Sequence, residues 1–231
     1  MLTREQIREI IEECRRIGVS GLENGRRATI PFIKIDILRS NLNFTGALGN
    51  SAIFINKNTY NMLSQYHSGW VANKTIAIKE SLLLKPTIDI IGTIVHETGH
   101  AFNVAAKIAN SEGNAYIFEI EVILKLLESG KLLSFDCDRQ EVERYFQSRL
   151  TNYHMDTRNT YLATLVGQIV EEFGLQDDRK EQHDKKLTSS EETKERTSQA
   201  KVPSLRLLFF ATPDNSQWKK ENNLILSRVG Y

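Results

Sequence analysis

The chain opens on a helical pattern: in MLTREQIREIIEECRRIG, Ile7, Ile10, Ile11 and Cys14 recur at spacings of three and four among charged residues. GVSGLENGRR then reads as a turn-rich joint. ATIPFIKIDIL alternates Ile33, Ile35 and Ile37 against Lys34 and Asp36, as a half-buried strand does, and SAIFIN is a second strand candidate. NTYNMLSQYHSGW reads as a short helix or loop. KTIAIK predicts a third strand, with Ile76 and Ile78 on one face and Thr75, Ala77 and Lys79 on the other. Pro86 stops that segment and Thr87 is expected to cap the helix that follows, which carries TIVHETGHAFN.

Asn110 and Ser111 break the pattern. SEGNAYIFEIEVILKLLESGK is a second long helix, with Ile117, Ile120, Ile123, Leu124 and Leu127 on one stripe and Ser129 and Gly130 as its stop. DRQEVERYFQSRLTN and TRNTYLATLVGQIVEEFG are expected to be helical too, the latter ending at Gly174. Residues 177–201 mix charges with almost nothing aliphatic, cannot bury enough apolar surface to offset ordering, and read as a flexible linker or loop. Residues 202–231 turn apolar again, a segment that could dock back or carry a secretion signal. Residues 1–176 are therefore the expected folded domain, of α+β class: a small mixed sheet packed on the HETGH helix and followed by further helices.

Composition narrows the partners. Thirty basic residues against twenty-nine acidic give a net charge of +1, so no global field draws the protein to nucleic acid or to an acidic membrane surface. The longest apolar neighbourhood, SLLLKPTIDIIGTIV, is broken by Lys85, Pro86 and Asp89, and a membrane span of roughly 20 apolar residues is not expected. No signal peptide is expected either, since the N-terminus lacks an uninterrupted apolar stretch; the protein reads as made in the cytoplasm. Cys14 and Cys137 lack the spacing of a disulfide framework or a thiolate zinc site and read as structural thiols.

The chemistry concentrates in HETGH. On a helix, residues four apart lie one turn above each other, so His96 and His100 can share one metal ion while Glu97 points beside it. Zinc lowers the pKa of a water it binds to roughly 7, and a neighbouring carboxylate can take that water's proton and pass it to a leaving amine. Gly92, Gly99 and Asn103 share the histidine face and are expected to leave room for metal and substrate. The competing reading of this stretch is a buried helix that happens to carry two histidines.

With these residues in place, TIVHETGHAFN resembles the active-site helix of the zincin metallopeptidases, over about Ile53 to Leu127, and KTIAIK resembles the edge strand along which zincins lay an extended substrate. Thr98 departs from the bulky apolar residue usual there. The metzincin extension, with its Gly and third His, is absent from HETGHAFNVAA. SEGNAYIFE instead resembles the glutamate-zincin pattern of Glu, two residues, then Ala, which makes Glu112 the implied third ligand. Helix geometry offers a rival. If the first helix continues through Ala109 it climbs roughly 13 Å past His100, and an antiparallel helix regains that level near Glu119, with Glu121 behind it.

The resemblance implies a zinc metalloprotease, a hydrolase holding Zn²⁺ through His96, His100 and Glu112, or alternatively Glu119, with Glu97 as general base. Tyr153, His154, Arg158 and Tyr161 form a cluster that could supply an oxyanion donor, and Tyr116, on the face of Glu112 and Glu119, is a further candidate for that role or for support of the ligands. His67 reads as an ordinary loop histidine and His183 as a solvated one. The substrate implied is a protein. A small zincin-like chain of this kind is similar to bacterial effector or toxin metalloproteases, so a host protein reached through a dedicated secretion system is one expectation, with the protein acting as a monomer. A regulatory peptidase of the producing cell and a non-catalytic zincin-like binding module are the alternatives.

Overall fold

In the computed structural model, which describes residues 2–39, 50–155 and 159–177, the amphipathic start folds as α1 (Arg4–Ser20). A capping box closes its first turn: the Thr3 hydroxyl accepts from Gln6 N, and the Gln6 side chain accepts from Thr3 N. The helix runs through Gly18, Val19 and Ser20, which the sequence assigned to the joint. Gly21, at a φ of 104° that L side chains avoid, ends it.

Three strands form one mixed sheet: β1 (Lys34–Leu38), β2 (Ala52–Phe54) and β3 (Thr75–Lys79), in the order β1-β3-β2. β1 runs parallel to β3 with Ile35 opposite Ile76, and β2 runs antiparallel with Ile53 opposite Ala77. KTIAIK, expected on an edge, is thus the central strand, and the edge role passes to β2. All five residues of β3 are buried because both faces of the sheet are covered. Ile35, Phe54, Ile76 and Ile78 join the main core with α1 and the HETGH helix. Leu38, Ile55 and Ala77 form a second, smaller cluster with Leu63 and Trp70. The Trp70 indole N–H pins that cluster to β1 by donating to Asp36 Oδ2 at 2.7 Å.

Leu63 comes from α2 (Lys57–Leu63), which Asn56 caps by accepting from Thr59 N. α3 (Thr87–Ala105) carries HETGH. Its N-cap is Pro86, with no side-chain bond, so Thr87 is its first helical residue and not its cap. The other end decides the site. Lys107 adopts a left-handed φ of 57° and Ile108 N bonds back to Asn103 O, a Schellman closure built on a lysine. The chain reverses there, and α4 (Glu112–Glu128) returns antiparallel under a Ser111 cap that accepts from Asn114 N.

α5 (Arg139–Tyr153) and α6 (Thr160–Phe173) complete the order, capped by Asp138 and Asn159, and Gly174 in the left-handed region closes α6. α3 lies between α1, α4, α5 and β2, so the active-site candidate helix is the centre of the main core. Met1–Gln176 make one compact unit. The expected linker and apolar C-terminal segment lie outside the described residues from 178 onward, as does Arg158. Among the described residues no helix is long and apolar enough to cross a membrane.

Candidate metal centre

His96 and His100 project from consecutive turns of α3, their rings 5.0 Å apart and nearly perpendicular. Both turn Nε2 toward Glu112, the first residue of α4: His96 Nε2 lies 3.1 Å from Oε2 and His100 Nε2 lies 3.5 Å from Oε1. Three such donors suit one small cation. Zinc bonds of about 2.0–2.1 Å at tetrahedral angles set neighbouring ligand atoms roughly 3.3 Å apart, which these separations bracket. His96, His100 and Glu112 each offer one atom within 4.8 Å of the others. The histidine side chains are nearly buried while that of Glu112 is 65% exposed, so the group is reached from solvent past Glu112.

The outer ring nitrogens are also committed. His100 Nδ1 lies 2.8 Å from Asn110 Oδ1, and His96 Nδ1 lies 2.8 Å from Glu119 Oε2. A donor bond at Nδ1 fixes the tautomer that leaves Nε2 as a ligand. Glu119, the geometric rival to Glu112, therefore sits on the far side of the His96 ring. It is fully buried, and Tyr145 Oη, Tyr153 Oη and Arg149 also donate to it. Its oxygens are spoken for.

Charge follows this arrangement. Burial disfavours a charged imidazole, yet Glu112 and Glu119 outweigh it and push His96 up to about 10. His100 and His96 hold Glu112 well below the usual carboxylate range. Burial works against ionisation of Glu119, but Arg149 and His96 prevail and bring it down to about 2. Without a metal, the two carboxylates therefore hold the imidazoles protonated, and a cation bound between them would take the place of the Nε2 protons.

Glu97 points to the sheet. The bonds from Ile55 N to Thr75 O and from Lys79 N to Ser51 O show that the odd residues of β2 pair with β3, so Ala52 and Phe54 turn their main-chain groups outward. Phe54 N donates to Glu97 Oε2 at 2.6 Å. This bond anchors the carboxylate at the edge strand, and Oε1 has no hydrogen bond among the described residues.

Other expected residues scatter. Tyr116 stands one turn beyond Glu112, its ring 5.0 Å from that of His96; burial, then Glu112, pushes its hydroxyl up to about 12. Tyr153 is 1% exposed and its hydroxyl donates to Glu119, the carboxylate behind the His96 ring, so it is not placed to meet an oxyanion. His154 is the C-cap of α5. Tyr161 and Glu121 bond to each other, and Glu121 also accepts from Glu23 N, on another face of α4 from the histidines. His67 stacks on Trp70 at 3.9 Å, and Thr98 is buried with its hydroxyl donating to Ile94 O. Cys14 and Cys137 are free and buried, and burial pushes both thiols up, that of Cys137 to about 12.

The small residues of the histidine face serve packing rather than substrate space. A Cβ on Gly99 would press on Ala115 O at 3.1 Å, and one on Gly92 would fall inside the Tyr145 ring. Gly92→Ala is expected to destabilise by about 2 kcal/mol: overpacking costs up to about 3, and the gain in helix propensity returns about 1. A urea midpoint unchanged or raised would show that Tyr145 moves without cost. Sequence reasoning overlooked Tyr145, Arg149, Asn110 and the Phe54 amide. For the α5 pair the signal existed, because Tyr145, Arg149 and Tyr153 recur every four residues.

No protein-family model, curated protein or solved structure matches this chain. The zincin resemblance rests on the sequence motif.

Proposed function

We propose that the protein is a zinc-dependent hydrolase of amide bonds, acting on an extended segment of a protein substrate, with His96, His100 and Glu112 as metal ligands and Glu97 as general base. The observation that carries this reading is the convergence of both Nε2 atoms on Glu112, with each Nδ1 held from behind and Glu97 tied beside them to the sheet edge. Two incidental buried histidines would also satisfy their nitrogens, but nothing would require both Nε2 atoms to meet on one exposed carboxylate.

A zinc ion held by His96, His100 and Glu112 would supply Lewis acidity to water and to a carbonyl oxygen. Glu97 then takes the proton of the attacking water and returns it to the leaving nitrogen, a shuttle that suits a carboxylate anchored by one oxygen through Phe54 N. The Tyr116 hydroxyl, held protonated on a ring 5.0 Å from that of His96, is suited to donate to the developing oxyanion. The outward N–H and C=O of Ala52 would pair with an extended peptide, since Phe54 N is held by Glu97 and Phe54 O accepts from Asn56 N.

The deciding experiment is elemental analysis of purified full-length protein, followed by cleavage of a denatured-protein mixture with and without a chelator. About one zinc per chain and chelator-sensitive cleavage are expected. Zinc without cleavage would make this a metal-binding module, and no uptake by folded protein re-exposed to zinc would end the metal reading.

A further inference from the structure

α5 contributes nothing to the proposed ligand set, yet three of its side chains close on one carboxylate. Tyr145, Arg149 and Tyr153 fall at i, i+4 and i+8, one stripe of the helix. The two hydroxyls donate to Glu119 Oε1 at 2.7 and 2.6 Å. Arg149 straddles the group, with Nε 3.3 Å from Oε1 and Nη2 3.2 Å from Oε2. With His96 Nδ1 on Oε2, Glu119 meets five donors, more than the roughly four lone-pair positions of a carboxylate. Gly92 of α3 is what lets the Tyr145 ring lie close enough to take part.

We infer that this stripe of α5 is a positioning device for the metal site, which sets metal affinity by fixing Glu119 and, through it, the His96 ring. The inference rests on the metal-site reading above. Held by His96 alone, a buried carboxylate could swing about its side-chain torsions and the imidazole could turn with it, taking Nε2 out of line with His100 and Glu112. The α5 donors remove that freedom. Because they come from a third helix, they also hold α3 and α4 at one separation. None of the three side chains touches the proposed ligand atoms, so each is a positioning residue acting through Glu119.

The test is Tyr145→Phe, Tyr153→Phe and the double variant in the full chain, with Tyr161→Phe as control. The control removes a comparable hydroxyl-to-carboxylate bond, to Glu121 on the same α4 helix but on another of its faces. Zinc affinity is measured by competition with a chromophoric chelator, and the coordination sphere by the visible absorption of the cobalt-loaded protein. Loss of a group that orients a metal ligand typically weakens metal binding about 10- to 100-fold. The double variant is expected within that range with an altered cobalt band, the single variants between it and wild type, and Tyr161→Phe unchanged. If the double variant does not fold, the single variants are read in the same way. Zinc affinity within twofold of wild type in folded variants, or an equal loss in Tyr161→Phe, overturns the inference. Wild-type protein that takes up no zinc overturns the metal-site reading itself, and this inference with it.

Discussion

Replacing Glu97 by Gln is expected to leave zinc uptake at the wild-type level and to lower the rate of amide hydrolysis by about 10²- to 10⁴-fold, the usual contribution of a positioned acid or base. The substitution is nearly isosteric, and the amide oxygen of Gln can still accept the 2.6 Å bond from Phe54 N that holds the side chain at the strand edge. Position is kept while basicity is lost. The hydrogen bond of Glu97 goes to Phe54 N, whereas the histidine Nε2 atoms face Glu112, so the proposed metal donors are expected to keep their places. Turnover on any substrate found for the wild type, measured with zinc content on the same samples, checks both halves. Full activity with Gln would remove Glu97 from the mechanism and require another base.

The second large effect separates two glutamates on one helix. Glu112→Ala is expected to fold and to drop from about one zinc per chain to nearly none, since the side chain is 65% exposed and its partners are the two histidines. Glu119→Ala is expected to fail differently. It would leave Arg149 without its carboxylate and strip the acceptor from two buried tyrosine hydroxyls, a loss of about 3–5 kcal/mol on the scale for breaking one side of a buried ion pair. Zinc would still bind when supplied in excess, because all three proposed donors remain. Denaturant unfolding of the metal-free variants and elemental analysis after zinc loading distinguish the two. A Glu119→Ala protein that is stable yet cannot be loaded, beside a Glu112→Ala protein that can, would exchange the roles.

Such a contrast arises from one backbone detail. The sequence supported either glutamate because the length of α3 was open, the alternatives being an end soon after Asn103 and an end at Ala109, up to about 1.7 helical turns later. Helix ends are usually announced by Gly or Asn in the left-handed position, whereas here Lys107 occupies it. Nothing local marks lysine as a stop. Its conformation is held by the closing bond from Ile108 N to Asn103 O and by the return of α4, so the end of α3 depends on the packing it permits.

Strand order shows the same limit. The alternation of KTIAIK marked a strand correctly, but a period of two does not say whether a second layer covers the other face. The cluster around Trp70, Leu63 and Ile55 does cover it, and pairing with β1 on one side and β2 on the other, which no period reveals, makes β3 central.

What the sequence by itself determined was everything that depends on helical or strand period over a few residues. That includes the α+β class, the helix bearing HETGH, the one-turn spacing of His96 and His100, and the common face of Glu112, Tyr116 and Glu119. Tertiary structure alone decided which glutamate meets the Nε2 atoms, which holds Nδ1, which strand meets Glu97, and that Gly92 and Gly99 serve packing. These are relations between residues 12 to 53 positions apart in the chain. They are set by the sum of many small packing terms across the core, whereas local periodicity is set by backbone geometry that each residue carries with it.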